Sequence, residues 1–311
     1  MMPLLPFAAA AIILAARASA PSDASARDPG RDPGRDPGRA TGRATLDSLA
    51  DETARQISRY ADRRVAIAAG YRRVGTDFPS MGEHWIHPGA LLAQRLDPDR
   101  PTILAYAVID GRPTLLGAGY VMTTRGHAAA NAPGWPTYWH EHSGLLADES
   151  GAHVGARQEA DSATHVWVLH VWTALPNPLG RYDSDNWALP FARAGIVAPD
   201  GLDADMGRVF SLTVAGGDEY LRRMFTDAGL RTGDTRAIDA AIEEGRLAAD
   251  AVSQRARAQH RLTASDADQL RDAWGALARR LRSAAGPAIE PFLVPPHARH
   301  GDPPVVHSAP Q

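Results

Sequence analysis

Eight of the chain's twelve histidines fall between His84 and His170, and six of its seven tryptophans fall between Trp85 and Trp187. Neutral imidazole ligates zinc, copper, nickel and iron, usually with a carboxylate or water completing the shell. Two spacings can bring a pair of rings to one ion: His84-x-x-His87 and His140-x-His142. On a strand, residues two apart share a face, so His140 and His142 can chelate together. His84 and His87 would face opposite ways on an ideal strand and need a turn or bulge to converge. The competing reading is that each histidine is separately exposed or hydrogen-bonded. The tryptophans offer stacking surfaces. Trp167 and Trp172 read as core, whereas Trp85, Trp135 and Trp139 stand in loop-like surroundings and are the candidates for a ligand-binding wall.

The element that must position these groups is His165-Val166-Trp167-Val168-Leu169-His170-Val171-Trp172, which ends at Pro176-Asn177-Pro178-Leu179-Gly180. Both of its alternating faces are apolar, which predicts a central strand covered on each side. A histidine buried there needs a hydrogen-bond partner, a metal or a pocket, since an unsatisfied imidazole costs about 1–3 kcal/mol. His170 and His84 are therefore expected to approach one another at one end of a sheet and, with His140 or His142, to line a single polar site. Other chemistries find little footing. There is no G-x-S-x-G elbow, P-loop or H-E-x-x-H. His140-Glu141-His142-Ser143 sets a base beside a hydroxyl, but adjacency in sequence is not geometry. Asp183-x-Asp185-Asn186 begins like a calcium loop, lacks its glycine and glutamate, and reads as a turn.

The remaining chain supplies the frame. Residues 1–20 have the form of a secretory signal peptide, with a short apolar core and Ala18-Ser19-Ala20 as its cleavage pattern. Arg27-Asp28-Pro29-Gly30 and its repeats place a disordered Arg/Asp/Pro/Gly linker over residues 21–44. No cysteine occurs, which excludes disulfides, thiolate metal sites and a lipoprotein anchor. A net charge of -3 leaves no footprint for nucleic acid, and every basic residue is arginine. A helix is expected from about Leu46 to Ala69, stopped by Gly70. The stretch Met81–Pro88, bounded by Pro79 and Pro88, reads as an edge strand or structured loop. Strands at 103–109 and 114–122 flank the hairpin signal Asp110-Gly111. Beyond Pro199 helical periodicity takes over. One helix follows Gly216-Gly217, another runs from Asp234 or Thr235 to about His260, and a last one is capped by Ser265 with Asp268 in a capping box. Leu270, Trp274, Leu277 and Leu281 form the core stripe of that last helix. Residues 291–311 read as a disordered tail whose His297, His300 and His307 are solvated.

The order of motifs carries a resemblance. Tyr71 follows the helix; Met81-Gly82-x-His84 comes next, then Pro101-x-x-Leu104-x-Tyr106, Gly119-Tyr120-Val121, Leu169-His170-Val171-Trp172 and Asn177-Pro178-x-Gly180-x-Tyr182. Over residues 55–187 this resembles a family of uncharacterised exported bacterial proteins with Met-Gly-x-His and Leu-His-x-Trp…Asn-Pro-x-Gly motifs. The resemblance implies a fold unit and the two histidines His84 and His170, and no settled activity. It also implies a glutamate where this chain has Gly119, so either the site is dead here or His140-Glu141-His142 substitutes. The sequence thus predicts an α+β fold. An N-terminal helix and an antiparallel β-sheet occupy residues 45–195, followed by a helical C-terminal region at 196–290. The function it predicts is that of an exported protein, periplasmic or extracellular, binding Zn or Cu through His84, His170, His140 and His142, with no reaction specified. The alternative is a non-catalytic ligand-binding or envelope-interaction module with an aromatic surface. Neither reading involves nucleic acid or stable membrane insertion after signal cleavage.

Overall fold

A computed structural model of the protein describes residues 37–125, 132–133, 138–142, 164–227, 235–289 and 293. The signal peptide, residues 21–36 of the expected linker, Trp135, Ser143 and the tail histidines lie outside the described residues.

The fold is α+β. Among the described residues its sheet has six strands: β1 (Arg72–Phe78), β2 (Gly82–Ile86), β3 (Ile103–Ile109), β4 (Arg112–Arg125), β5 (His140–His142) and β6 (Thr164–Trp172). They lie in the order β1-β2-β3-β4-β6-β5, and every neighbouring pair is antiparallel. Asp110 and Gly111 join β3 to β4, both with positive φ (51° and 71°), the backbone that a two-residue hairpin needs. The strand carrying His170 is β6, held between β4 and the short β5.

Three expectations are corrected here. Residues 81–88 do not form an edge. Strand β2 lies inside the sheet with all five residues buried, and β1 is the edge. Strand β1 was missed because Arg72-Arg73-Val74-Gly75-Thr76-Asp77 has neither an apolar run nor clean alternation, as suits a half-exposed edge. Pro88 bounds the strand as expected, as the first residue of α3 (Pro88–Ala93). The N-terminal helix is likewise not continuous. Helix α1 (Pro37–Ile57) begins within the stretch expected as linker and ends in a 3₁₀ turn. Extended Asp62 then accepts from the Arg64 N–H and restarts the chain as α2 (Arg63–Ala68), where Val65 is 42% exposed. Third, the last helix, α8 (Ala264–Ala285), is capped by Thr263 and not by Ser265. The Thr263 hydroxyl accepts from the Asp266 N–H, and the Asp266 carboxylate accepts from the Thr263 N–H.

One face of the sheet is covered from the N-terminal side. Leu46 and Ala50 of α1 pack with Tyr120, Leu169, Val171 and Trp139. Ile57 and Tyr60 pack with Tyr71, Trp85, Leu104 and Tyr106, whose hydroxyl donates to the Tyr60 carbonyl at 2.6 Å. On the other face Phe78, Ala105, Ala107 and Trp172 meet Leu189 of α4 (Ala188–Arg193), with Tyr220 of α6 (Gly217–Asp227) against them. The largest core lies among the C-terminal helices. It is centred on Met206, Val209 and Phe210 of α5 (Ala204–Ser211) and includes residues of α7 (Thr235–Gln259). Leu270, Trp274, Leu277 and Leu281 of α8 are buried in it, as their spacing predicts. The sheet and these helices belong to one compact unit from Gly38 onward. Arg193 fastens α4 to the sheet edge through a two-pronged ion pair with Asp77, at 2.5 and 3.1 Å. Among the described residues no helix is long and apolar enough to cross a membrane.

Candidate functional site

His84 and His170 stand on strands that are not neighbours. With β3 and β4 between them, their backbones are separated by about 14 Å at ordinary strand spacing. Their ring centroids are nevertheless 5.7 Å apart. Register explains the approach. His84 pairs with Ala105 and Ala105 with Gly117, while His170 pairs with Gly119, two residues along β4; all lie on one face, and Ala105, Gly117 and Gly119 between the rings carry little or no side chain. A Cβ at Gly119 would sit 3.4 Å from the His170 ring and 3.3 Å from Ile103. The position at which the resemblance implies a glutamate is therefore the one directly opposite His170.

The third ring comes from the sheet edge. His140 on β5 pairs with Val168, two residues from His170 and on the same face, and its ring lies 5.1 Å from that of His170. His142 follows at Val166 in the register; its side chain lies outside the described residues. Around the three rings, Phe78 lies 5.6 Å from His84 and Trp172 lies 5.5 Å from His170, with Tyr220 edge-on to Phe78.

His170 is 3% exposed, and its chemistry follows from that. Its Nδ1–H donates to the Ser184 carbonyl at 2.6 Å. Burial pushes its pKa down to about 4, outweighing the opposing pull of the Ser184 carbonyl and Asp183. At neutral pH the ring is uncharged with its proton on Nδ1, so Nε2 presents a lone pair. That atom is buried and has no hydrogen-bond partner among the described residues. A ring nitrogen fixed to a backbone carbonyl with its opposite nitrogen bare is how proteins orient a metal-binding histidine. The fit of a metal can be gauged from spacing. Two imidazoles on one tetrahedral zinc at ordinary bond lengths hold their centroids about 5 Å apart. The observed separations, 5.1 and 5.7 Å, are both wider than that. Among the described residues no group of three or more His, Asp or Glu side chains is arranged so that it could hold a metal ion as it stands.

Other expectations separate from the cluster. His87 does not join His84. It caps α3, its Nδ1 accepting from the Ala90 N–H at 3.1 Å, and its ring meets Tyr71 edge-on. Trp85 and Trp139 do not form a binding wall: they are 9% and 3% exposed. Trp85 faces the opposite side of the sheet, donates to Glu83 and lies under the Arg63 guanidinium. The indole of Trp139 donates to the Pro133 carbonyl. Both were misread because their flanking prolines and glycines look loop-like, while partners from distant segments bury them.

The residues that hold His170 were not anticipated. The turn at 183–186 was expected, but its role was not. Asp185 is partly buried, and its carboxylate accepts from Ser80 at 2.6 Å and from Ser184 at 3.1 Å. Desolvation raises its pKa, with the Ser80 hydroxyl opposing. The Asp183 carbonyl accepts from the Trp172 indole at 2.7 Å. Paired carboxylates in a calcium-like spacing were the only signal there. In comparison with known proteins, the chain matches no family model, no curated protein and no solved structure.

Proposed function

We propose that this is an exported protein that binds a divalent transition metal, zinc or copper, at the cluster of His84, His140 and His170, with His142 as a further ligand. The observation that carries the reading is the convergence of two imidazoles, His84 and His140, on His170, whose Nδ1 is committed to the Ser184 carbonyl and whose Nε2 is bare and buried. A set of neutral nitrogens selects zinc, copper or nickel over magnesium and calcium, which prefer oxygen. Such a metal would act as a Lewis acid or redox centre in a largely apolar surround of Phe78 and Trp172. The protein's own part is to hold the His170 ring uncharged and in one tautomer. Export accompanies the reading through the signal-like residues 1–20; N-terminal sequencing of protein recovered outside the inner membrane should begin near Pro21, and an intact Met1 in the membrane fraction would count against it.

The experiment is calorimetric titration with Zn and Cu on protein whose His297, His300 and His307 are replaced by alanine. One equivalent should bind, and His84→Ala and His170→Ala should each abolish binding. Metal should raise the melting temperature of the parent alone. Affinity no tighter than about 100 μM ends the reading.

A further inference from the structure

We infer that Ser80 and Asp185 form a brace that sets His84 and His170 at their observed separation, which makes Asp185 a positioning residue of the cluster. Its purpose rests on the metal-binding reading; its geometry does not.

Ser80 is fully buried in the turn between β1 and β2, four residues before His84. It is tied twice to the segment after β6. Its hydroxyl donates to Asp185 Oδ1 at 2.6 Å, and its carbonyl accepts from the Asn186 N–H at 2.9 Å. The next link is Ser184. Its hydroxyl donates to Asp185 Oδ2 at 3.1 Å, and its carbonyl is the acceptor for His170 Nδ1. One carboxylate thus joins the turn that launches the His84 strand to the carbonyl that orients the His170 ring.

The rest of Asp185 is used to keep that carboxylate still. Its N–H donates to Asp183 Oδ1 at 3.1 Å, and its carbonyl accepts from Asn177 Nδ2 at 2.8 Å. A carboxylate suits the place because it offers an acceptor to each of two hydroxyls that approach from different segments. In a buried setting such bonds are strong, and a missing member leaves a polar group stranded. The bond pattern also predicts which substitution is tolerated. In Asp185→Asn the amide oxygen still accepts from Ser80 while the amide nitrogen donates to the Ser184 oxygen, so the brace persists. Alanine at either Ser80 or Asp185 removes the side-chain link.

The test uses the full chain. Co(II) is titrated into the parent protein and into Ser80→Ala, Asp185→Ala and Asp185→Asn, with visible absorption reporting coordination. Ser80→Ala and Asp185→Ala should each weaken binding about ten- to hundredfold with unchanged stoichiometry, the range for losing an outer-shell partner, and Asp185→Asn should stay within about threefold of the parent. A Ser80→Ala affinity within about twofold of the parent overturns the brace. A second readout needs no metal. In proton–nitrogen correlation spectra of the metal-free protein, Ser80→Ala should shift the ring nitrogens of both His84 and His170 and leave those of His87 in place. Unmoved His84 and His170 resonances overturn the inference whether or not cobalt binds. A parent that takes no cobalt, but whose two resonances move in Ser80→Ala, refutes the metal reading and supports the brace. Where Asp185→Ala fails to fold, Ser80→Ala decides.

Discussion

His170 is a histidine that its surroundings prevent from acting as a base at neutral pH. In the unfolded chain it takes up a proton near pH 6.5; in the fold it resists until about pH 4. Between those values the unfolded state holds more protons than the folded one. The stability owed to this ring is therefore complete above pH 6.5 and is lost as the pH falls toward 4, by about 3 kcal/mol in all. Replacing it with asparagine keeps a donor for the Ser184 carbonyl and removes the titration. Urea melts across that pH window should show a steeper acid loss for the parent than for His170→Asn, and parallel curves would refute the assignment. Gly119 belongs to the same scale. Its missing side chain lets the His170 ring lie across β4, and Gly119→Val should disturb the ring and weaken metal binding about tenfold or more, read by the same titration.

At the scale of elements, caps decide where helices begin. Thr263 and Asp266 exchange two hydrogen bonds at the start of α8, and Asp266 also receives the Arg255 side chain. Thr263→Ala should cost about 1 kcal/mol in chemical denaturation, whereas Ser265→Ala, one residue inside the helix and exposed, should stay within about 0.5 kcal/mol. The reverse ranking would restore the boundary that the sequence suggested. The sheet offers a parallel case. Strand β2 is short and bounded by prolines, yet it is interior because β1 supplies the edge. Arg72 and Arg73 at the start of β1 and the register shift between Val74 and Asp77 make that edge a poor template for another chain.

At the scale of the whole molecule, the sheet and the C-terminal helices share residues at their junction. Leu189 packs on the sheet, while Phe191 of the same helix stacks on Phe210 at 4.0 Å. Loss of the helical core should therefore be felt in the strands. Phe210→Ala removes a fully buried ring and should cost about 3–5 kcal/mol. Amides of β3 and β6 and amides of α8 should then lose protection together in hydrogen exchange. Separate transitions for sheet and helices would show that 45–195 and 196–290 are independent domains.

The sequence by itself determined what local rules govern. The hairpin at Asp110-Gly111 follows from residues that tolerate positive φ, and the α8 stripe follows from helical period. The run of residues 165–172 follows from an apolar pattern with no solvent face. These were legible because backbone preference and periodicity act over a few residues. His84 and His170 were legible as candidates because polar rings in apolar strands need a purpose. Only the tertiary structure decided their partners. The 5.7 Å approach depends on the pairing of two intervening strands that sets Ala105, Gly117 and Gly119 beneath the rings, and a slip of one residue would send the rings to opposite faces. The burial of Trp85 and Trp139, the Ser80–Asp185 bond across 105 residues and the edge role of β1 likewise come from long-range pairing, which no local pattern of residues encodes.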